Sequence, residues 1–294
     1  MVDTRDLKSL GHYGCAGSSP ASGTVGGELS HKLTQLPFSI IIMNAVVNKE
    51  YESLTEYIKS IPAIFESTGT EIYHKRNIVK ILRHDDMDLV VKRYKRPNLI
   101  QRIAYTFFCK GKAKRAYLFA GRMLDLGIST PFPIAFIEIK KSGLLSDSYF
   151  ISVRTFDRSL FPELVETPDY NVELASEVAR LMVRLHEKGV IHGDPNLSNI
   201  LYHTDAEGKT HFTLIDINRT RFGSEFTERE CLANLMRLTH RRDLLKRLVS
   251  VYAEERKWDV PETVEKVFAM ISRFEHRREI KTEFKRLLSP LKRK

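Results

Sequence analysis

Apolar and polar positions alternate along the first half of the chain, and the alternation predicts strands. Arg76-Asn77-Ile78-Val79-Lys80-Ile81-Leu82 and Asp88-Leu89-Val90-Val91-Lys92-Arg93-Tyr94 are β-rich runs around a turn-prone His84-Asp85-Asp86. They predict a hairpin in which Lys92 shares a face with Val90. Ile100 to Leu126 is helical in composition, with Tyr117, Leu118, Met123 and Leu124 as apolar members and Gly127 as the stop. Ile134 to Ile139 and Ser148 to Arg154 are two further strands. A boundary falls near residues 154 to 160.

The period then changes. Leu174, Val178, Leu181, Met182 and Leu185 recur at helical spacing, so residues 172 to 188 form an amphipathic helix closed by Gly189. Asn199 to Tyr202 and His211 to Asp216 pair around Asp205-Ala206-Glu207-Gly208, which sets Asn199 opposite Asp216. Beyond Gly223 the apolar spacing is helical again, ending in a helix from Glu262 to Arg273. Residues 1 to 42 carry neither period. The run Gly14 to Thr24 resembles what results when a tRNA gene is read as protein, and residues 1 to 42 are expected to be a disordered or mis-annotated extension, with Met43 as the natural start.

Composition narrows the class. The 294 residues are 42% hydrophobic, enough for a sizeable core. Cys15, Cys109 and Cys231 are odd in number and lack metal spacing, so neither a disulfide nor a zinc site is expected, and a reducing cytoplasm fits. The apolar run Phe38 to Val47 is far short of the about 20 residues that cross a bilayer. A net charge of +10 favours an anionic partner. Ten Lys or Arg stand between Lys92 and Arg122, with no acid among them.

Three polar side chains at the edges of apolar runs carry the chemistry: Asp194, Asn199 and Asp216. A carboxylate can accept the proton of an attacking hydroxyl, while an amide oxygen and a second carboxylate hold Mg²⁺ against a nucleotide. Lys92, on its strand, can meet phosphates.

His192-Gly193-Asp194 with Asn199 five residues on, followed by Asp216 and preceded by Val-Val-Lys92, resembles the protein kinase superfamily. Within it, Leu-Val-Val-Lys-Arg-Tyr, Leu126-Gly127-Ile128-Ser129-Thr130-Pro131 and His-Gly-Asp-Pro-Asn-Leu-Ser-Asn-Ile are similar to the bacterial lipopolysaccharide core kinase (Kdo/WaaP) family. The resemblance implies an α+β, protein kinase-like two-lobe fold: a β-rich N-lobe over residues 43–154 and a mostly helical C-lobe over 155–294. It implies Asp194 as catalytic base, Asn199 and Asp216 as Mg²⁺ ligands, and Lys92 on the phosphates of ATP. The implied acceptor is a sugar hydroxyl, Kdo or heptose, of an inner-core precursor at the cytoplasmic face of the inner membrane. The implied partners are therefore a nucleotide and an anionic glycolipid, with peripheral membrane contact and no nucleic acid.

The chain also departs from the superfamily. Ile217-Asn218 follows Asp216 in place of Phe-Gly, and Gly193 stands where many protein kinases have the arginine that receives a phosphorylated activation loop. Such regulation is not expected. No glycine-rich loop precedes Lys92, and no glutamate lies around Tyr117-Leu118-Phe119 to pair with it. Lys92 either pairs with Asp216 or is held otherwise. Two alternatives share these residues: a kinase of proteins or other small molecules, and a nucleotide-binding pseudokinase scaffold.

Overall fold

The computed structural model describes residues 40–288. Among them the chain clusters into two compact units, residues 40–156 with 216–218, and residues 157–215 with 219–288.

The first unit is built on a six-stranded antiparallel sheet. Its strands are β1 (Ile41–Val47), β2 (Thr70–His74), β3 (Ile78–His84), β4 (Met87–Arg93), β5 (Pro133–Lys141) and β6 (Leu144–Val153), in the order β1-β5-β6-β4-β3-β2. The β3–β4 and β5–β6 hairpins have two-residue loops, with Asp85 at φ 51° and Ser142-Gly143 at 51° and 77°. Left-handed residues at such tips match the twist of the strands they join. Helix α1 (Thr55–Ile64) buries Ile58 and Ile61 on one sheet face, where they meet Phe65, Leu89, Val91 and Ile151. The ammonium of Lys80 is drawn into this layer, donating to the carbonyls of Phe65, Glu66 and Thr68 at 2.7, 3.2 and 3.3 Å. These oxygens lie just past the end of α1, where a helix leaves acceptors without partners.

Several expectations are corrected here. Ile41 and Ile42 belong to β1, opposite Lys141 and Lys140, so the structureless stretch expected to residue 42 does not extend to them; residues 1–39 lie outside the described residues. The single helix expected from Ile100 to Leu126 is two. Helix α2 (Leu99–Ile103) passes into a π-helical turn, Ala104–Phe108, then Cys109 is extended before α3 (Lys112–Asp125) begins. Only glycine fits at the start of α3, because a Cβ at Gly111 would run into the Glu138 carboxylate. Ala113, Ala116, Ala120 and Met123 form the buried face of α3, and Ala113 and Ala116 pack with Tyr94 and Phe136 on the other face of the sheet. Small side chains let a helix backbone lie close. Gly127 closes α3 at φ 66°, as expected. Cys231 is buried and free, and Cys15 lies outside the described residues.

The second unit is led by α4 (Val172–Glu187), whose first turn is capped by Asn171 accepting from the Leu174 N–H at 3.0 Å. Its buried stripe includes Leu174, Val178, Leu181, Met182 and Leu185. It packs on α6 (Arg242–Glu255), and α7 (Val260–Leu288) packs on both α6 and α5 (Glu228–Leu235). Helix α7 starts before Glu262 and runs well past Arg273. Among the short strands, β7 (Arg158–Ser159) pairs with β9 (Ile200–Thr204), β9 with β10 (Thr210–Leu214), and β8 (Val190–Ile191) with β11 (Arg221–Phe222). Among the described residues no helix is long and apolar enough to cross a membrane.

Candidate active site

Two of the four residues singled out meet in the first unit. On β4, Leu89 and Val91 face the α1 core, so alternation sends Lys92 to the opposite face, where Phe150 is its register partner. There its Nζ lies 2.8 Å from Oδ1 of Asp216 and 5.4 Å from the centre of the Tyr94 ring. The Asn218 amide donates to the same oxygen and shares a hydrogen bond with the Tyr94 hydroxyl. Burial raises the Tyr94 phenol well above its ordinary range, and the Asp216 charge adds to that, so Tyr94 stays neutral. Asp216 itself is held at φ 55°, a conformation that costs an L-residue about 1 kcal/mol. Lys92 thus takes Asp216 as its acidic partner, answering the missing glutamate. Asn218 and Tyr94 were not foreseen, although each stands two residues beyond a chemically marked residue.

The other two meet in the second unit. A short 3₁₀ turn, Leu197–Asn199, is capped by Asn196 accepting from the Ser198 N–H at 2.9 Å. It presents the Asn199 amide nitrogen to the Asp194 carbonyl at 3.0 Å. His192 is fully buried and braces the loop: its Nδ1 accepts from the Asp194 N–H at 3.3 Å and its Nε2 donates to the Ile215 carbonyl at 3.0 Å. That pair of bonds requires the neutral ring. Arg237 donates to the Gly193 carbonyl at 2.9 Å, and Arg219 lies 3.8 Å from the Asp194 carboxylate. Burial pulls the Arg237 guanidinium down, and the Asp194 charge works against that. Gly193 has φ 78°, and a Cβ there would strike the Arg219 carbonyl. Behind the loop, the Gly193 N–H donates to Asn234 Oδ1 at 3.4 Å. Asn234 Nδ2 donates to His186 Nε2 at 2.9 Å, and His186 Nδ1 donates to the Tyr252 oxygen at 2.8 Å. This relay ties the loop to α4, α5 and α6. Its only signal in the sequence is a histidine on the apolar stripe of α4.

The β9–β10 register differs by one from the expected one. Ile200 stands opposite Leu214, and the Ile215 N–H donates to the Asn199 carbonyl at 3.0 Å, so Asn199 faces Ile215 rather than Asp216. The loop is the cause. Asp205 Oδ1 accepts from the N–H groups of Glu207 and Lys209 at 3.0 and 2.9 Å, and Gly208 sits at φ 80°, which makes an odd-numbered tip.

Amide and carboxylate oxygens are the hard donors that Mg²⁺ prefers, so the donor types of Asn199 and Asp216 fit that ion. Among the described residues no cluster of three His, Cys, Asp or Glu offers another metal site.

The lipopolysaccharide kinase (Kdo/WaaP) family matches residues 75–258, more than half of the chain. The chain belongs to this family. A 3-deoxy-D-manno-octulosonic acid kinase of Vibrio cholerae serotype O1 is 25% identical over 194 residues, covering 63% of this chain and 74% of that protein. The solved structure of WaaP in complex with acyl carrier protein matches with a TM-score of 0.54 at 16% identity, over 80% of this chain and 98% of that one. That likeness establishes the protein kinase-like fold, with a β-sheet N-terminal lobe and a helical C-terminal part. This Kdo/WaaP family member is a kinase, a phosphotransferase of lipopolysaccharide biosynthesis, and nucleotide use follows from the family.

Proposed function

We propose that the kinase transfers the γ-phosphoryl group of ATP to a sugar hydroxyl of a lipopolysaccharide inner-core precursor, in the cytoplasm at the inner membrane. Kdo is the favoured acceptor over heptose, on the strength of the relative that carries that activity in its name. The observation that carries the reading is the Lys92–Asp216 pair, which supplies the cation that a strand lysine brings to nucleotide phosphates without the usual glutamate. Lys92 binds those phosphates. Asn199 and Asp216 hold Mg²⁺, which when bound neutralises charge on the transferring group. Asp194 orients the acceptor hydroxyl and takes its proton. The His192 and Asn199 bonds to its backbone fix where that carboxylate stands.

Transfer from radiolabelled ATP is measured with Kdo- and heptose-bearing precursors, casein and an aminoglycoside as acceptors. Label on the Kdo precursor alone is the expected result. Asp194→Ala abolishes it, a loss of about 100-fold or more, with nucleotide binding intact. Near-normal turnover in that variant would sink the assignment of the base.

A further inference from the structure

Helix α2 and the π-helical turn that follows are amphipathic in the wrong sense for a protein surface. Their inward side is polar: Arg102 donates to the carbonyls of Leu145 and Lys141 at 3.0 and 3.3 Å, and the Thr106 hydroxyl accepts from the Leu145 N–H at 3.0 Å. Their outward side is apolar, with Leu99 60%, Ile100 64%, Phe107 68% and Phe108 80% exposed. The bonds at Arg102 and Thr106 fix which side faces out, so the exposure is built in by the fold. Clustered exposed aromatics and aliphatics mark an interaction surface.

Charge names the occupant. Lys95 and Lys110 bracket the apolar face and are exposed, and no acidic residue occurs between Asp88 and Asp125. Arg96 is used on Asp147. Glu138 shares a cavity of about 680 Å³ with Phe107, Phe108, Lys114 and Lys140. Burial raises the Glu138 pKa, and the Lys114 and Lys140 ammonium groups beside it offset the charge of its carboxylate. Apolar side chains ringed by lysines are what the boundary layer of an anionic bilayer takes up.

We infer that Leu99 to Lys110 is a membrane-docking element that seats Phe107 and Phe108 among the acyl chains of an anionic lipid surface. This deepens the proposed function and rests on it, since a lipid-borne acceptor places the enzyme at a bilayer.

The test uses the full chain and vesicles of phosphatidylcholine, with or without phosphatidylglycerol and free of any acceptor. Co-sedimentation with the anionic vesicles is expected, falling about tenfold or more in the Phe107→Ser, Phe108→Ser double variant. Lys95→Glu with Lys110→Glu, which leaves the apolar face untouched, lowers it in the same direction. A Phe108→Trp variant shifts its emission to the blue and is quenched by brominated lipid. Melting by circular dichroism shows that each variant folds. Unchanged vesicle binding in the serine variant overturns the inference. So does a wild-type dimer in light scattering, or a complex with an acidic protein, that the serine variant loses while no vesicle is bound. Transfer to a water-soluble acceptor is measured in parallel and stays at the wild-type rate in the serine variant. Failure of that transfer in the wild type counts against the proposed function and leaves the vesicle result standing.

Discussion

The Lys92 ammonium and the Asp216 carboxylate form a 2.8 Å ion pair on the sheet face that also carries Tyr94. Each group is mostly but not fully shielded, so the pair is accessible to a nucleotide yet little screened by water. Lys92→Met is expected to lower kcat/KM for phosphoryl transfer by about 100-fold, and Asp216→Asn to weaken metal-dependent nucleotide binding. Titration calorimetry with ATP, with and without Mg²⁺, separates the two.

Gly193 is required on two counts, its left-handed backbone and the Arg219 carbonyl pressed against it. Gly193→Ala costs more than the roughly 1 kcal/mol of the backbone term alone. Its melting temperature should fall by at least about 2 °C. Transfer should also drop, because the residue that moves is next to Asp194.

His186 is pushed down to about 3 from an ordinary 6.5, chiefly by burial and further by the Arg256 charge. Between those values the unfolded chain holds a proton that the folded chain refuses. Its contribution is therefore complete above pH 6.5 and is lost as pH falls toward 3, at about 1.4 kcal/mol per pH unit at most. Urea unfolding near pH 7 and near pH 5 should show this loss. In His186→Gln, which has nothing to titrate, the difference should shrink by about 2 kcal/mol.

Lys80→Met removes the donor that serves three carbonyls beyond α1 and leaves them in the α1 layer without it. A loss of about 1–3 kcal/mol in chemical denaturation is expected. Transfer per folded molecule should not change, since Lys80 faces away from the nucleotide-binding residues.

Periodic stretches were legible in the sequence: the β3–β4 hairpin, the amphipathic α4 and the glycines closing α3 and α4 all have local causes. The polar marks on apolar runs led to Lys92, Asp194, Asn199 and Asp216. What escaped depends on contacts distant in sequence. β1 and α1 were missed, because an apolar run beside a structureless stretch gives no partner strand and Pro62 discourages a helix. The Ile100–Leu126 stretch is helical in composition on both sides of its break, and the glycine that the break requires at 111 is explained by Glu138, nearly thirty residues on. The β9–β10 register was set by side-chain bonds inside a loop, where counting from a presumed centre errs by one. Asn218 was visible only as a departure from Phe-Gly, and its work on Asp216 and Tyr94 emerges only in the fold.

The geometry at Gly193 also limits what mutation can reach. An arginine there, the device by which many protein kinases sense a phosphorylated loop, has no room for even its first carbon. A lineage carrying this loop could not gain that switch in a single step without damaging the base beside it. Control of the reaction in such a lineage has to evolve at another position.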